Sequence, residues 1–441
     1  MKFVSTRGSV APVEIRAALE AGLAPDGGLF IPEVFPQLEP SDFNGLNTLA
    51  QVAEKLLRPF FKDDALLSTK LSSICAQTFS FPIPLTETPN HHYLLELFHG
   101  PTSAFKDVGA NFLANTLSNL PADHPRKIIV ATSGDTGGAV AGAFFKKPNL
   151  EVVILFPKGK ISPRQQAQLC AWGENIRAYA VEGTFDDCQK IAKQALLEQS
   201  TQTAGAPSHH WRSANSINLG RILPQMVYYA FAALTLWRKD QAENPTQRRI
   251  LPGFIIPSGN LGNSLAALWA KKMGLPIGKI HLSLNANATV ANYRTTGELK
   301  PSPTVATLAN AMDVGNPSNL ERTIKLYSSH DEFKKHITAE CVTDTEIQAE
   351  IKVSLEKWGQ VICPHTATAA VALTKMNPPV GERWIMVATA HPAKFETIVE
   401  PLVGHPLPVP PALQEILKKP QHFTVIEPSY SALLKGETPY V

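Results

Sequence analysis

The feature that most constrains this fold is an alternation that begins near residue 93. Short apolar segments rich in β-branched residues alternate with helical segments rich in small residues. Strands are predicted at residues 94–98, 127–132, 151–156, 176–181, 254–256, 279–285 and 383–389. Helices are predicted at residues 102–120, 137–145, 163–172, 185–198 and 221–237. Strands that are apolar along nearly their whole length and alternate with helices form mainly parallel sheets covered by helices on both faces, so an α/β fold is predicted.

The first 85 residues have a different pattern. Helical periodicity at 12–21 and over most of 46–77 flanks a turn at 26–28. We therefore predict a helical N-terminal domain at 1–85 and an α/β region at 86–441. Within the second region, roughly 127–220 is expected to form a smaller subdomain and the remainder a larger one.

Charge and composition exclude several classes of function. Lys and Arg number 41 and Asp and Glu 38, a net charge of +3, and no basic run exceeds two residues. Neither nucleic acid nor an anionic membrane is therefore an expected partner. No apolar stretch approaches the roughly 20 residues of a membrane span, and the N terminus lacks a signal-peptide pattern. The 5 cysteines are scattered without a C-x-x-C pair, which favours a reducing, cytoplasmic location.

Ligands of parallel sheets bind beyond the carboxyl ends of the strands, so the loops there are the candidate sites. The loop after 94–98 leads into a predicted helix whose first turn contains Lys106. The positive partial charge of a helix N-terminus lowers the pKa of an ammonium group, and a free amine condenses with carbonyl cofactors. The alternative is an ordinary solvated lysine with Asp107 cancelling the local charge.

Two glycine-rich loops precede helices, at 133–138 and 257–263. Backbone amides in such loops bind anions, so the second loop is a candidate phosphate cradle, although each could also be a tight turn. Neither matches the dinucleotide or P-loop pattern. At the end of the last predicted strand, the Thr389 hydroxyl could hydrogen-bond a heterocyclic nitrogen or cap the strand.

Metal binding and serine hydrolysis lack support. The pairs His91-His92 and His209-His210 direct adjacent imidazoles apart, and no H-E-x-x-H or G-x-S-x-G motif is present. We expect no metal site.

Taken together and in order, these segments resemble the threonine synthase family of fold type II pyridoxal 5'-phosphate enzymes, which share a tryptophan synthase beta-like fold. The similar segments are GLAPDGGLFIPE (22–33), ELFHGPTSAFKD (96–107), ATSGDTGGAVAGAF (131–144), FPKGKISPRQ (156–165), SANSIN (213–218), PSGNLGN (257–263), NAMDVGNPSN (310–319) and ATAHPAKF (388–395). The first belongs to the N-terminal domain of that family and is absent from the serine and threonine dehydratases. The resemblance therefore covers nearly the whole chain.

The resemblance implies a role for each site residue. Lys106 is expected to hold pyridoxal 5'-phosphate covalently and to transfer protons. The implied cofactor-binding residues are Lys106, Phe105, Asp135, Ser258, Gly259, Asn260, Leu261, Gly262, Asn263 and Thr389. Asp135 is expected near the phenolic oxygen and Thr389 at the pyridine nitrogen. The implied substrate-binding residues are Ser133, Thr136, Lys160, Asn215, Ser216 and Arg221.

The implied activity is the last step of threonine biosynthesis. The family converts O-phospho-L-homoserine and water to L-threonine and phosphate by γ-elimination and β-addition. Two alternatives keep the fold: a phospho-lyase that releases a keto acid and ammonia, and a cofactor-binding homologue without turnover. The expected partner is the small-molecule substrate, and the chain is expected to be a monomer or homodimer.

Overall fold

The computed structural model describes residues 1–89, 91–198, 211–243 and 250–437. The strands are β1 Phe3–Ser5, β2 Phe30–Pro32, β3 Leu85–Glu87, β4 Tyr93–Glu96, β5 Arg126–Ala131, β6 Leu150–Pro157, β7 Ile176–Val181, β8 Trp211–Ser213, β9 Gly253–Pro257, β10 Ile280–Leu284, β11 Ile337–Cys341, β12 Trp384–Ala388 and β13 Thr424–Ile426. The α-helices are α1 Ile15–Ala21, α2 Leu49–Phe61, α3 Ala65–Thr78, α4 Lys106–Ser118, α5 Asp135–Phe144, α6 Pro163–Cys170, α7 Phe185–Glu198, α8 Leu219–Ile222, α9 Met226–Glu243, α10 Gly262–Lys272, α11 Thr289–Thr296, α12 Leu320–Ile324, α13 His330–His336, α14 Asp344–Trp358, α15 Pro364–Met376, α16 Glu396–Val403, α17 Pro411–Leu417 and α18 Tyr430–Gly436. Short 3-10 helices occur at Pro40–Phe43, Leu223–Gln225, Asn310–Met312 and Pro392–Phe395.

Two mainly parallel sheets carry the α/β region. The larger has the order β11-β10-β9-β12-β4-β3, and only its edge pair β3–β4 is antiparallel. The smaller has the order β13-β7-β6-β5-β8 and is parallel throughout. The predicted α/β fold with mainly parallel sheets is therefore confirmed.

The smaller sheet contains a C-terminal strand that the sequence pattern did not predict. In β13, Val425 lies opposite Ala180 of β7, and α18 then packs against β13 and α7. This part of the chain therefore belongs with the smaller sheet, not with the larger subdomain to which the prediction assigned it. Only Ile426 of β13 is buried, so the strand has too little apolar pattern to be distinguished from a loop.

The helix predicted at 221–237 is interrupted. The chain forms α8, then the 3-10 turn Leu223–Gln225, and then α9. Pro224 explains the break, because proline has no N–H to donate to a carbonyl of the preceding turn. Arg221 consequently lies in the short helix α8, directly after the loop that follows β8.

The N-terminal residues combine helices with a ribbon of two antiparallel strands, β1 and β2. The helical stretch predicted at 46–77 is two helices, because Asp64 caps the second one. Its carboxylate accepts bonds from the amides of Leu66 and Leu67 at 3.1 and 2.9 Å, and Arg16 donates to both carboxylate oxygens at 2.9 and 2.8 Å. These contacts end one helix and begin the next.

A buried arginine joins the N-terminal residues to loops of both parallel sheets. Arg322 of α12 is 0% exposed, and burial lowers its pKa to about 9. Its Nε donates to the Phe30 carbonyl at 3.0 Å, and its Nη2 donates to the Ile217 carbonyl at 2.7 Å. Its Nη1 donates to Asn319 Oδ1 at 2.9 Å. One guanidinium therefore satisfies acceptors from three separate segments.

Within residues 1–89, 91–198, 211–243 and 250–437, no helix is long and apolar enough to cross a membrane. The same residues contain no cluster of three potential metal-ligating side chains. The pair His209-His210 lies outside the described residues.

Replacing Arg322 with Met should lower the free energy of unfolding by about 3 kcal/mol, because buried carbonyl groups lose their donor. Urea denaturation of the cofactor-free protein measures this change. The matched control is Arg238→Met. Arg238 is only partly buried and donates a single bond, at 2.6 Å, to the Phe43 carbonyl. A loss no larger than that of the control would contradict the structural role assigned to Arg322.

Candidate active site

A cleft lies where strands of both parallel sheets end. Loops that follow β4, β9 and β12 of the larger sheet line it, and these strands are neighbours. Loops that follow the adjacent strands β5 and β8 of the smaller sheet complete the lining. The cleft is therefore at the position where parallel sheets bind ligands.

The cleft brings together nearly all of the site residues predicted from the sequence. Those that line it are Phe105, Lys106, Ser133, Asp135, Thr136, Asn215, Ser216, Arg221, Ser258, Gly259, Asn260, Leu261, Gly262, Asn263 and Thr389. Lys160 is the exception, because it is exposed in the loop after β6 and is absent from the lining. In the smaller sheet, β5 is the neighbour of β8, and β6 lies on the far side of β5. The loop after β6 therefore emerges to one side of the cleft.

Lys106 is the first residue of α4, and backbone pairing fixes its position. The Phe105 amide donates to the Thr389 carbonyl at 2.8 Å, and the His391 amide donates to the Ser103 carbonyl at 3.0 Å. Ser103 adopts the left-handed conformation, with φ of 57°, which turns the loop into the helix. These bonds hold Lys106 and Thr389 on the same side of the cleft.

The pKa of Lys106 is lowered to about 8, and burial is the main cause. The negative charge of Asp135 opposes this lowering, while the positive charges of Lys394 and Arg221 contribute to it. The sequence correctly predicted a lowered pKa for Lys106. The main cause is desolvation, however, and not the helix N-terminus from which the lowering was predicted. Asp107 does not neutralise the amine, because its carboxylate turns away and accepts the Thr102 amide at 2.9 Å. A solvated, ordinary lysine does not fit this environment.

Asp135 is paired with a lysine that the sequence analysis did not single out. Lys394 is 0% exposed, and its Nζ lies 2.9 Å from Asp135 Oδ1 and 2.7 Å from the Thr102 carbonyl. Burial raises the pKa of Asp135, but the charges of Lys394 and Lys106 outweigh this and hold it well below its usual range. Asp135 is thus ionised and can only accept hydrogen bonds. Contact with a phenolic oxygen would therefore require the proton to be on that oxygen.

The loop that carries Ser133 and Thr136 is shaped by a single hydroxyl. Thr132 Oγ1 accepts the amides of Gly134 and Gly137, both at 2.9 Å. Gly134 has a φ of 126°, a conformation that side chains rarely permit. The loop therefore presents Ser133 and Thr136 to the cleft in a fixed arrangement.

Residues 258–263 form a cradle of neutral donors at the start of α10. Leu261 precedes the helix in the left-handed conformation, with φ of 61°. Gly259 is required by close approach, because a Cβ there would lie 2.7 Å from Met312 Cα. The amides in the first turn of a helix have no acceptor within it, and Asn263 Nδ2 is buried without a hydrogen-bond partner among the described residues. Such a cradle suits a phosphate.

Two cradle side chains are already engaged by the protein. Ser258 Oγ donates to the Ile256 carbonyl at 2.9 Å. Asn260 Nδ2 donates to Ser216 Oγ at 2.9 Å, and Asn260 Oδ1 accepts the Ser318 amide at 2.6 Å. Both side chains therefore shape the cradle, and Asn260 also links it to the loop after β8.

Arg221 is a buried cation whose charge has no carboxylate partner among the described residues. It is 3% exposed, its Nη1 donates to the Ala214 carbonyl, and its Nε has no partner in the described part of the chain. Burial lowers its pKa to about 10, so it remains charged near neutral pH. A desolvated, unpaired guanidinium is stabilised by an anion, and it binds phosphate or carboxylate in a bidentate way.

Other residues of the cleft were missed from the sequence. His365 lies in the first turn of α15, and its Nε2 accepts the Ala311 amide at 3.0 Å. Burial lowers its pKa to about 4, so the ring is neutral. Phe185 and Gln189 of α7 also line the cleft. None of these belongs to a motif, so the sequence offered no signal for them.

Comparison with known proteins agrees with this geometry. The pyridoxal-phosphate dependent enzyme family matches residues 80–389, the threonine synthase N-terminal family matches 2–79, and the threonine synthase C-terminal family matches 366–435. The chain belongs to the threonine synthase family of pyridoxal-phosphate-dependent enzymes. The resemblance stated from the sequence motifs is therefore confirmed, and so is pyridoxal phosphate as the cofactor.

Individual members of the threonine synthase family are similar over nearly the whole chain. Threonine synthase of Haemophilus influenzae is 40% identical over 408 residues, which is 91% of each chain. The crystal structure of threonine synthase from Escherichia coli has a TM-score of 0.88 at 36% identity, covering 99% of both chains. The structure of pyridoxal-phosphate-bound threonine synthase from Brucella melitensis has a TM-score of 0.87 at 31% identity, covering 99% of this chain and 98% of that one.

The charges around Lys106 give a test of its pKa. In the cofactor-free protein, modification of Lys106 by an amine reagent should be half-maximal near pH 8, read by mass spectrometry of the Lys106 peptide. Asp135→Asn should lower this midpoint by about one pH unit, because it removes an anion that stabilises the ammonium. Lys394→Met should raise it by a similar amount, because it removes a competing cation.

The control for this test is Asp107→Asn. This carboxylate neighbours Lys106 in the chain but faces Thr102, so its removal should move the midpoint much less than Asp135→Asn does. A larger shift for Asp107→Asn than for Asp135→Asn would show that the wrong carboxylate has been assigned to the amine.

Proposed function

We propose that this chain converts O-phospho-L-homoserine and water to L-threonine and phosphate, with pyridoxal phosphate as cofactor. One observation supports the roles assigned to the residues of the cleft. The cleft contains two anion sites of different chemistry, a neutral cradle at 258–263 and the charged Arg221, and each has a buried donor without a partner among the described residues. A reaction between a phosphorylated cofactor and a phosphorylated substrate requires two such sites.

The residues of the cleft fit pyridoxal phosphate. The cradle offers Asn263 Nδ2 and helix-terminal amides to the phosphate, and Lys106 is a half-buried amine of low pKa that can bond the aldehyde carbon. The Thr389 hydroxyl can pair with the ring nitrogen without protonating it. When bound, the cofactor supplies an electron sink that stabilises negative charge on carbon atoms of the substrate.

Lys106 performs the proton transfers. Its Nζ would take the α-proton and pass it to the cofactor-bound substrate, which restores the free amine, and would then take a β-proton. Loss of the β-proton expels the γ-phosphate, and Nζ would return that proton to Cγ. A pKa near 8 suits Lys106 both to accept and to donate a proton, because its amine and ammonium forms coexist near neutral pH. The ionised Asp135 keeps this pKa from falling further, and Lys394 balances the carboxylate.

The remaining residues bind and orient the substrate. Arg221 pairs with the γ-phosphate, aided by the loop that carries Asn215 and Ser216. Ser133 and Thr136 face the substrate carboxylate. Because the cleft lies between loops of two separate sheets, approach of the sheets would exclude water until the step that adds it at Cβ.

Several features remain predictions. They are the domain boundaries near residues 85, 127 and 220, with residues 424–436 added to the smaller subdomain, a cytoplasmic location, a monomeric or homodimeric state, and the absence of a nucleic-acid partner. We propose them on the sequence arguments and the sheet contacts given above.

Lys106→Ala should lower turnover by roughly 10³-fold or more, because the group that transfers protons is lost. The assay incubates the cofactor-loaded protein with O-phosphohomoserine and measures threonine and phosphate together, expecting equal amounts. The control is Lys160→Ala, which lies outside the cleft and should retain near-normal turnover. Release of a keto acid and ammonia in place of threonine would instead establish the phospho-lyase alternative.

Arg221→Ala should lower kcat/KM for O-phosphohomoserine by an amount equivalent to about 2–5 kcal/mol, because a dianion loses a charge-assisted contact. Cofactor loading, measured by absorbance, should be intact, and side reactions of amino acids without a phosphate should change little. Arg221→Lys should recover part of the loss, since it restores a charge but not the bidentate geometry. If Arg221→Ala instead loses pyridoxal phosphate, the arginine belongs to the cofactor site.

A further inference from the structure

Two adjacent tyrosines of α9 contact the cradle from the protein interior. The hydroxyls of Tyr228 and Tyr229 lie 2.6 and 2.7 Å from Asn263 Oδ1. Both tyrosines are 0% exposed, and burial raises the pKa of each hydroxyl well above its usual value, so both stay protonated. Each is therefore a permanent hydrogen-bond donor facing the same amide.

These donors determine which end of the Asn263 amide faces the cleft. Contacts of 2.6–2.7 Å are typical of O–H···O bonds, so the oxygen faces the tyrosines. The amide nitrogen is then left for the cradle, where Asn263 is 5% exposed and Nδ2 has no partner among the described residues. The reversed amide would present an oxygen to a phosphate, which is repulsive.

Tyr228 has a second contact that Tyr229 lacks among the described residues. Its hydroxyl lies 2.8 Å from Gln225 Oε1, and Gln225 Nε2 donates to the Arg221 carbonyl. Gln225 is 3% exposed and lines the cleft. A chain of hydrogen bonds thus runs from the Asn263 amide through Tyr228 and Gln225 to the backbone of Arg221.

The hydroxyl of Tyr228 has one proton for two acceptors. Asn263 and Gln225 therefore share it, and removal of this single group leaves both amides less restrained. Removal of the Tyr229 hydroxyl affects Asn263 alone. Tyr229 otherwise packs against Phe254, with ring centroids 5.2 Å apart.

From this arrangement we propose that Tyr228 is a positioning residue for both anion sites, orienting Asn263 toward the cofactor phosphate and, through Gln225, holding the segment that carries Arg221 at the substrate phosphate. Tyr229 is a positioning residue for the cofactor phosphate alone. The substrate half of this inference rests on the function proposed above, whereas the cofactor half rests only on the family's cofactor.

The matched variants Tyr228→Phe and Tyr229→Phe each remove one buried hydroxyl and keep the ring. The first measurement needs no turnover: the cofactor-free proteins are titrated with pyridoxal phosphate and with pyridoxal, which lacks the phosphate. Both variants should bind pyridoxal phosphate about three- to tenfold more weakly than the wild-type protein and should bind pyridoxal with nearly unchanged affinity. Equal weakening of the two ligands would show a general packing defect and overturn the cofactor half.

The second measurement uses the cofactor-loaded proteins at saturating pyridoxal phosphate. Tyr228→Phe should raise KM for O-phosphohomoserine about three- to tenfold with a smaller change in kcat, and should weaken binding of inorganic phosphate, measured by calorimetry, by a similar factor. Tyr229→Phe should change neither. Equal effects of the two variants, or none from Tyr228→Phe, would overturn the substrate half.

Failure of this inference and failure of the proposed function give different results in these measurements. If the wild-type protein failed to turn over O-phosphohomoserine, the proposed function would be wrong, while the two titrations and the inorganic phosphate measurement would still decide the roles of the tyrosines.

Discussion

The site depends on the cost of removing positive charge from water. Arg221 and Lys394 are buried and Lys106 is half-buried, and of the three only Lys394 is matched by a carboxylate at contact distance. Desolvation disfavours each cation, and this cost is recovered when an anion enters. The cleft is therefore complementary to dianions before any ligand-specific contact is considered, and bound ligands should also stabilise the folded state.

This charge is held in place by backbone pairing, close packing and buried side-chain hydrogen bonds. Lys106 is fixed by pairing of the segments around Phe105 and Thr389, and the cradle is fixed by the close approach of Gly259 to Met312. Arg322 connects the same region to β2, so the N-terminal residues contribute to the shape of the loop that carries Ser216. The residues of the site come from distant points in the sequence, but they are joined by direct contacts in the fold.

The sequence predicted those parts of the molecule whose signal is local. Strands buried on both faces are continuous apolar segments, and β7 is predicted at the bounds that the structure gives, Ile176–Val181. The glycine-rich loops and Lys106 belong to recognisable motifs and do line the cleft. Lys160 also belongs to a motif but lies beside the cleft, because a motif does not indicate the order of strands in a sheet.

What the sequence could not provide is the identity of partners that are distant in the chain. Lys394 lies in a recognised segment, yet nothing local indicates that it is buried against Asp135. Tyr228 lies on a helix whose residues are apolar around most of its surface, so the contact of its hydroxyl with Asn263 is invisible until α9 and α10 are packed together. Such contacts depend on tertiary packing and leave no periodic pattern.

The position of β13 at the edge of the smaller sheet has a consequence for synthesis of the chain. Strands β5 to β8 leave the ribosome long before residues 424–426, which complete the sheet beside β7. During that interval the edge of β7 has unpaired backbone groups, which are able to pair with other nascent chains. The smaller sheet can adopt its final form only after residues 424–426 have been made, so completion of this half of the cleft is expected to lag well behind the synthesis of β5 to β8.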